Sequence, residues 1–296
     1  MHRELAIRKQ RKRHKRRLAI RNALLMACLL AAIVVALRTA TDYLLSDMIV
    51  PENMQVAAIT AKQPTVLKTA QINSALKQYA TTNKTAAQIY ENRSQYPENL
   101  LAAYLNNLEM EEFVAGYLDA DASQHGALTA KEKSQAYPLL LQWDKRWGYV
   151  PYGGSIIGLS GCGPTCLSMV LVTLTGNTDY TPAEVAQFSE ANGYYVEGSG
   201  TAWSLMTDGA AQLGLTAKEL PLSESVMKAA LDGGQPIICS MGAGDFTTQG
   251  HFILLRGYNG QGFQVNDPNC VARSNQVWSY EKLQGQIKNL WSYQLQ

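Results

Sequence analysis

SGCGPTCLSMVL, residues 160–171, sets a cysteine in a glycine-flanked turn at the mouth of an apolar helix. Pro164 takes a favoured first-turn position, and Cys166, Leu167, Met169, Val170 and Leu174 follow at helical spacing. A helix start offers unpaired N–H groups and a positive dipole end, which favour a thiolate. Cys162 stands there, whereas Cys166, one turn later among Leu167 and Met169, should point into the core. The flanking glycines let the backbone turn sharply and leave N–H groups open to an oxyanion. A cysteine so placed, taken alone, is more often a small buried apolar residue than a nucleophile, so its partners decide.

Those partners lie downstream, in GHFILLRGYN (250–259) and VNDP (265–268). Of four histidines, His2 and His14 belong to a basic tail and His125 to a polar connector, which leaves His251 as the one inside the compact half. Asn259-Gly260 is a strong hairpin signal between the arms 251–258 and 262–267. That hairpin returns Asp267 alongside the start of His251's strand, where a carboxylate holds one imidazole nitrogen while the other faces a thiolate. Asp267 followed by Pro268 also reads as a plain strand-end turn. Gln142, in LLQWDKRWG (140–148), is a fourth candidate, as an amide donor to an oxyanion. Its blander reading is a solvated or backbone-capping side chain, with Trp143 and Trp147 packed on the core and Asp144 paired with Lys145 or Arg146.

Other chemistries find little support. Cys162 and Cys166 have a ligand-like separation, but no second Cys or His pair follows, so no metal is expected. The glycine clusters at 242–250 and 257–262 lack the Lys-Ser/Thr ending of a phosphate loop, and no cofactor is expected. Cys166 and Cys239 read as buried small residues rather than as halves of disulfides.

Around this centre, residues 138–296 read as an α+β domain. The Cys162 helix comes first. A capping box at Thr181 and Glu184 opens a second helix, and helices over 202–213 and 223–231 follow. Strands then run over 236–241, 251–258 and 262–267, before a last helix near 280–288 and the strand LWSYQL (290–295). Upstream, YPENLLAAYLNNLEMEEFVAGYLDA (96–120) carries apolar residues at helical spacing, broken at Asn106-Asn107, and residues 121–136 are a polar connector. Residues 96–137 thus form a helical prefix and linker, and residues 38–95 read as a partly helical stalk.

The formal charge of +2 hides an asymmetry. Residues 1–22 carry ten of the 26 Lys and Arg, leaving 16 basic against 23 acidic residues in the remainder. After this tail comes ALLMACLLAAIVVAL (23–37), fifteen apolar residues without charge. As a helix it spans about 22 Å, and Ala19, Ile20 and snorkelling by Arg21 and Arg38 extend it toward the ~30 Å hydrocarbon core. Positive-inside bias places the tail in the cytoplasm and the rest outside, as a single-pass signal-anchor. A cleaved signal peptide, giving a secreted protein, is the competing expectation. Beside a membrane segment the basic tail reads as a topology signal and anionic-lipid contact rather than a nucleic-acid site.

QWDKRWG, SGCGPTCLSMVL, GHFILLRGY and VNDP, in that order, resemble the papain-like cysteine peptidases of the bacteriocin double-glycine peptidase-like group over residues 138–296. The helical prefix is similar to the segment preceding this domain in exported Gram-positive members. The resemblance implies a papain-like fold, with Cys162 as nucleophile, His251 as general base, Asp267 as its orienter and Gln142 as the oxyanion glutamine. In leader-processing members that glutamine lies only a few residues before the cysteine, whereas Gln142 is 20 positions upstream. Those members also work on the cytoplasmic side as part of an exporter, so bacteriocin-leader cleavage is not implied. The expectation is a membrane-anchored extracellular cysteine peptidase acting on peptides or proteins, cell-wall peptides among them. Two alternatives stand beside it: a peptidoglycan peptide hydrolase or amidase of the same fold, and a non-catalytic module binding a peptide or wall fragment. Oligomeric state is not legible.

Overall fold

A computed structural model describes residues 62–296, apart from Gln124 and Ser199. The chain divides into two compact units, Met1–Glu52 and Asn53–Gln296. The first lies outside the described residues, and with it the expected basic tail and apolar segment 23–37. Among the described residues no helix is long and apolar enough to cross a membrane.

The second unit begins with α1 (Thr69–Ala80), α2 (Lys84–Glu91), α3 (Glu98–Asn106) and α4 (Glu111–Ala115). Asn83 caps α2 by accepting from Ala86 N at 2.8 Å, and α3 stops at Asn106 as the Asn106-Asn107 pair suggests. Residues 69–91, expected within a stalk, are packed here: Ile72, Leu76 and Ile89 share one buried cluster with Leu100, Tyr104, Phe113 and Val114. Tyr149 and the partly buried Ile156 and Leu159 join that cluster, so the prefix is continuous with the segment that leads to Cys162.

Next come α5 (Cys162–Thr175), α6 (Pro182–Ala191) and α7 (Glu224–Asp232). Gly176, at φ +69°, closes α5 in the left-handed conformation that glycine adopts freely. Thr181 caps α6 by accepting from Glu184 N at 3.3 Å. The helix expected over 202–213 is present over 204–212, with Leu205–Gly209 in π-helical form and Ala210–Gln212 α-helical.

A six-stranded antiparallel sheet is built from β1 (Leu215–Glu219), β2 (Ile237–Gly242), β3 (Gly250–Tyr258), β4 (Phe263–Asn266), β5 (Val277–Trp278) and β6 (Ile287–Leu295), in the spatial order β1-β6-β2-β3-β4-β5. Side chains alternate faces along a strand, and here both faces are covered. Ile238, Phe252, Leu254 and Trp291 meet Cys166, Leu167, Met169 and Val170 of α5. Ile237, Cys239, Met241, Ile253 and Leu255 meet Met227 of α7. This double burial is why β2 and the start of β3 read as unbroken apolar runs. The α+β architecture, helices first and antiparallel strands second, is the one expected from the sequence.

Candidate active site

Cys162 opens α5 and is partly buried, while Cys166, Cys239 and Cys270 are fully buried; all four are free thiols. Burial pushes the Cys166 thiol well up and the Cys270 thiol to about 12, so neither suits nucleophilic chemistry near neutrality. Thr165 N donates to Gly161 O at 3.0 Å, the first bond of the α5 ladder, so the N–H groups of Cys162 and Gly163 precede that ladder. The flanking glycines prove to serve close packing. Neither has positive φ, but a Cβ at Gly161 would lie 2.7 Å from Ile157 O, and one at Gly163 would lie 2.8 Å from Thr201 Cγ2.

The β3–β4 register assembles the next pair. Leu254 pairs with Asn266, which sets Asp267 opposite Ile253 and diagonal to His251 on the same face. His251 Nε2 lies 2.7 Å from Asp267 Oδ1, which leaves Nδ1 free of the carboxylate, and the Cys162 thiol is close enough to help raise the imidazole's pKa. Asp267 is wholly buried and held by three donors. Oδ1 accepts from His251 and from Asn269 N at 2.8 Å, and Oδ2 accepts from Arg273 Nε at 2.5 Å. Burial alone would raise the carboxyl's pKa, yet the charges of Arg273 and His251 bring it down to about 2. Burial would likewise lower His251, but the Asp267 charge and its hydrogen bond raise it to about 9. The imidazole beside Cys162 is therefore protonated at neutral pH.

Gln142 is buried and bridges two sides of this centre. Its backbone N–H donates to Pro268 O at 2.7 Å, and Nε2 donates to Gly158 O at 3.0 Å, four residues before Cys162. One amide N–H of the side chain is left for another acceptor. Trp143 Nε1 donates to Asn269 O at 2.9 Å, so QWDKRWG fastens the Asp267 loop as well as packing on the core. Arg146 pairs with Asp144 and with Glu132 of the connector, both at 2.7 Å, away from the catalytic candidates.

Arg273 escaped the sequence reading. It sits on α8 (Val271–Ser274), a single turn six residues after Asp267, and its guanidinium is buried. The available signal is an arginine just past a strand-end Asp-Pro turn, close enough to fold back on the carboxylate. A groove of about 620 Å³ lies between Leu159, Phe246 to Gln249 and Asn269 on one side and Glu98, Ala102 and Asn106 of α3 on the other, and none of Cys162, His251, Asp267 or Gln142 lines it. A second cavity of about 510 Å³, lined by His125, Tyr180 and Glu184, includes none of Cys162, His251, Asp267 or Gln142. His125 there lies 3.6 Å from Glu184 and plays no part in the candidate site. Among the described residues no group of His, Cys, Asp and Glu is arranged to hold a metal ion.

A family model described as the Peptidase_C39 like family matches residues 134–295. No curated protein matches. Among solved structures, the peptidase domain of Streptococcus ComA, a bi-functional ABC transporter involved in a quorum-sensing pathway, is similar at 21% identity. The alignment covers 46% of this chain and 93% of that one, with a TM-score of 0.36.

Proposed function

The chain belongs to the Peptidase C39-like family, and on that premise we propose that it is a cysteine peptidase whose nucleophile is Cys162. One observation carries the assignment of residues: a single imidazole, His251, is hydrogen-bonded to a buried carboxylate and lies near enough to the Cys162 thiol for the two to interact electrostatically. The Cys162 sulfur, as thiolate, attacks the substrate carbonyl carbon. The oxyanion is taken by N–H groups at the start of α5 and by the remaining amide N–H of Gln142. Collapse breaks the C–N bond, and the His251 imidazolium gives its proton to the departing amine, leaving a thioester. Water then attacks the thioester with His251 as general base, releasing the acid and restoring the cysteine. Asp267 holds the ring in the tautomer and orientation both steps require.

The basic residues 1–22 followed by the apolar run 23–37 support a single-pass anchor with the peptidase outside the cell. Peptides and proteins at the cell surface, including wall peptides, are then the substrate class. Release of new amino groups from purified wall material would assign wall peptides, and cleavage confined to protein substrates would exclude them.

The mechanism is tested by iodoacetamide labelling of Cys162 in the full chain as a function of pH. Rapid labelling below pH 7 that is lost in His251→Ala is the expected result. Labelling that rises only near pH 8.5, the ordinary range of a free thiol, in both proteins would remove the assignment.

A further inference from the structure

The helical prefix precedes the family match, which begins at residue 134, yet it reaches the candidate catalytic groups. Glu109 Oε2 accepts from Val271 N at 2.7 Å and Oε1 from Ala272 N at 2.9 Å. These are the first two N–H groups of α8, the turn that carries Arg273 to the Asp267 carboxylate. Asn107, in the same prefix turn, donates its side-chain N–H to the Asn269 carbonyl, within the loop that joins Asp267 to α8. Four charges consequently alternate along one path: Glu109 negative, Arg273 positive, Asp267 negative and His251 positive, ending at Cys162.

We infer that Glu109 is a positioning residue for the Cys162–His251 pair, pinning residues 267–274 so that Asp267 stays aligned on the imidazole. The inference rests on the catalytic reading of Cys162, His251 and Asp267. Its physical basis is that a carboxylate acts on a ring nitrogen only while it is held in hydrogen-bond geometry, and the loop supplying Asp267 is tied by prefix side chains at 269, 271 and 272. Charged and titratable groups face this path from several elements. His251 is faced by Asp267 and Cys162, Asp267 by His251, Arg273, Cys166 and Cys270, and the groups facing Glu109 include Arg273 and Cys270. Removing the Glu109 carboxylate frees the loop and takes away a negative charge, and both effects weaken the hold on the His251 proton.

The test compares iodoacetamide labelling of Cys162 from pH 5 to 10 in full-length wild type, Glu109→Gln, Glu109→Asp and His251→Ala, with a thermal melt of each. Glu109→Gln should label about tenfold more slowly than wild type at pH 6, because a loosened Asp267 no longer holds the imidazolium squarely against the sulfur, and equally fast at pH 10. Glu109→Asp keeps the charge but ends one methylene short, and should fall between the two. A Glu109→Gln protein that melts lower but labels at pH 6 like wild type would give Glu109 a purely structural role and overturn the inference. If that variant does not fold, an Asp variant indistinguishable from wild type at pH 6 overturns it instead. Wild type lacking His251-dependent labelling is a different result, because it removes the catalytic reading on which the inference stands.

Discussion

Asp267 is fixed before it acts on anything, because His251, Asn269 and Arg273 all donate to one fully buried carboxylate. Arg273 is the strongest of these and pulls in two directions. It keeps Asp267 ionised inside the protein, and it draws on charge that would otherwise act on His251 alone. Removing one partner of a buried ion pair costs about 3–5 kcal/mol, so Arg273→Met should melt much lower than wild type. Its surviving folded fraction should still label Cys162 rapidly below pH 7, since the whole Asp267 charge then falls on the imidazole. Loss of low-pH labelling would instead make Arg273 essential to the geometry. At the first cysteine, Cys162→Ala should abolish turnover with the fold intact, while Cys166→Ala keeps turnover and loses roughly 1 kcal/mol of stability from the buried sulfur. Equal loss of activity in two folded variants would move the nucleophile. Cys162, His251 and Asp267 were legible because each is announced by local chemistry: a Gly-Pro helix start, a lone core histidine and an Asn-Gly hairpin. Arg273 was not, because a one-turn helix leaves no periodicity and one arginine among 26 basic residues carries no mark of its partner.

At the scale of elements, glycines join the prefix to the nucleophile. A Cβ at Gly158 would lie 2.5 Å from Phe113 Cζ and 3.1 Å from Gly148 O, so α4 approaches the turn before Cys162 as closely as a hydrogen in place of a side chain permits. Gly158→Ala should cost about 1–3 kcal/mol by overpacking, and it should disturb the Gly158 carbonyl that holds Gln142. Trimming the ring in Gly158→Ala/Phe113→Leu should recover part of both losses. A double-mutant cycle on melting temperature and kcat/KM measures that coupling, and strict additivity would mean the two elements do not press on each other. The sequence reading gave a conformational reason, a sharp turn, to Gly161 and Gly163 and none to Gly158. The structure gives Gly158 a steric one, which the sequence does not display because its neighbour Phe113 lies about 45 residues away. Other elements were hidden for related reasons. In β1 only Leu215 is fully buried, so an edge strand reading LTAKE has no apolar pattern to show. Residues 69–91 contribute few buried positions per turn, Ile72, Leu76, Ala86 and Ile89, and so resemble a weakly periodic stalk although they are packed.

For the whole molecule, the same buried charges that set the chemistry also set the pH range of the fold. His251 is raised to about 9 from its ordinary 6.5, so its contribution to stability is complete below pH 6.5 and fades as pH rises through 9. Asp267 is lowered to about 2 from 3.8, so its contribution is complete above pH 4 and fades as pH falls through 2. Stability from the pair is therefore full from about pH 4 to 6.5, below the range where general-base catalysis by a neutral imidazole would be greatest. Melting temperatures of wild type and His251→Ala, measured from pH 4 to 10, should differ most between pH 4 and 6.5 and converge above pH 9. A difference that is constant across that range would show that His251 stabilises by packing alone. A difference that closes already by pH 7 would mean Asp267 does not hold the imidazolium. The protein would then need another source for the charge that activates Cys162, and the prefix contacts through Glu109 would have no lever on the reaction.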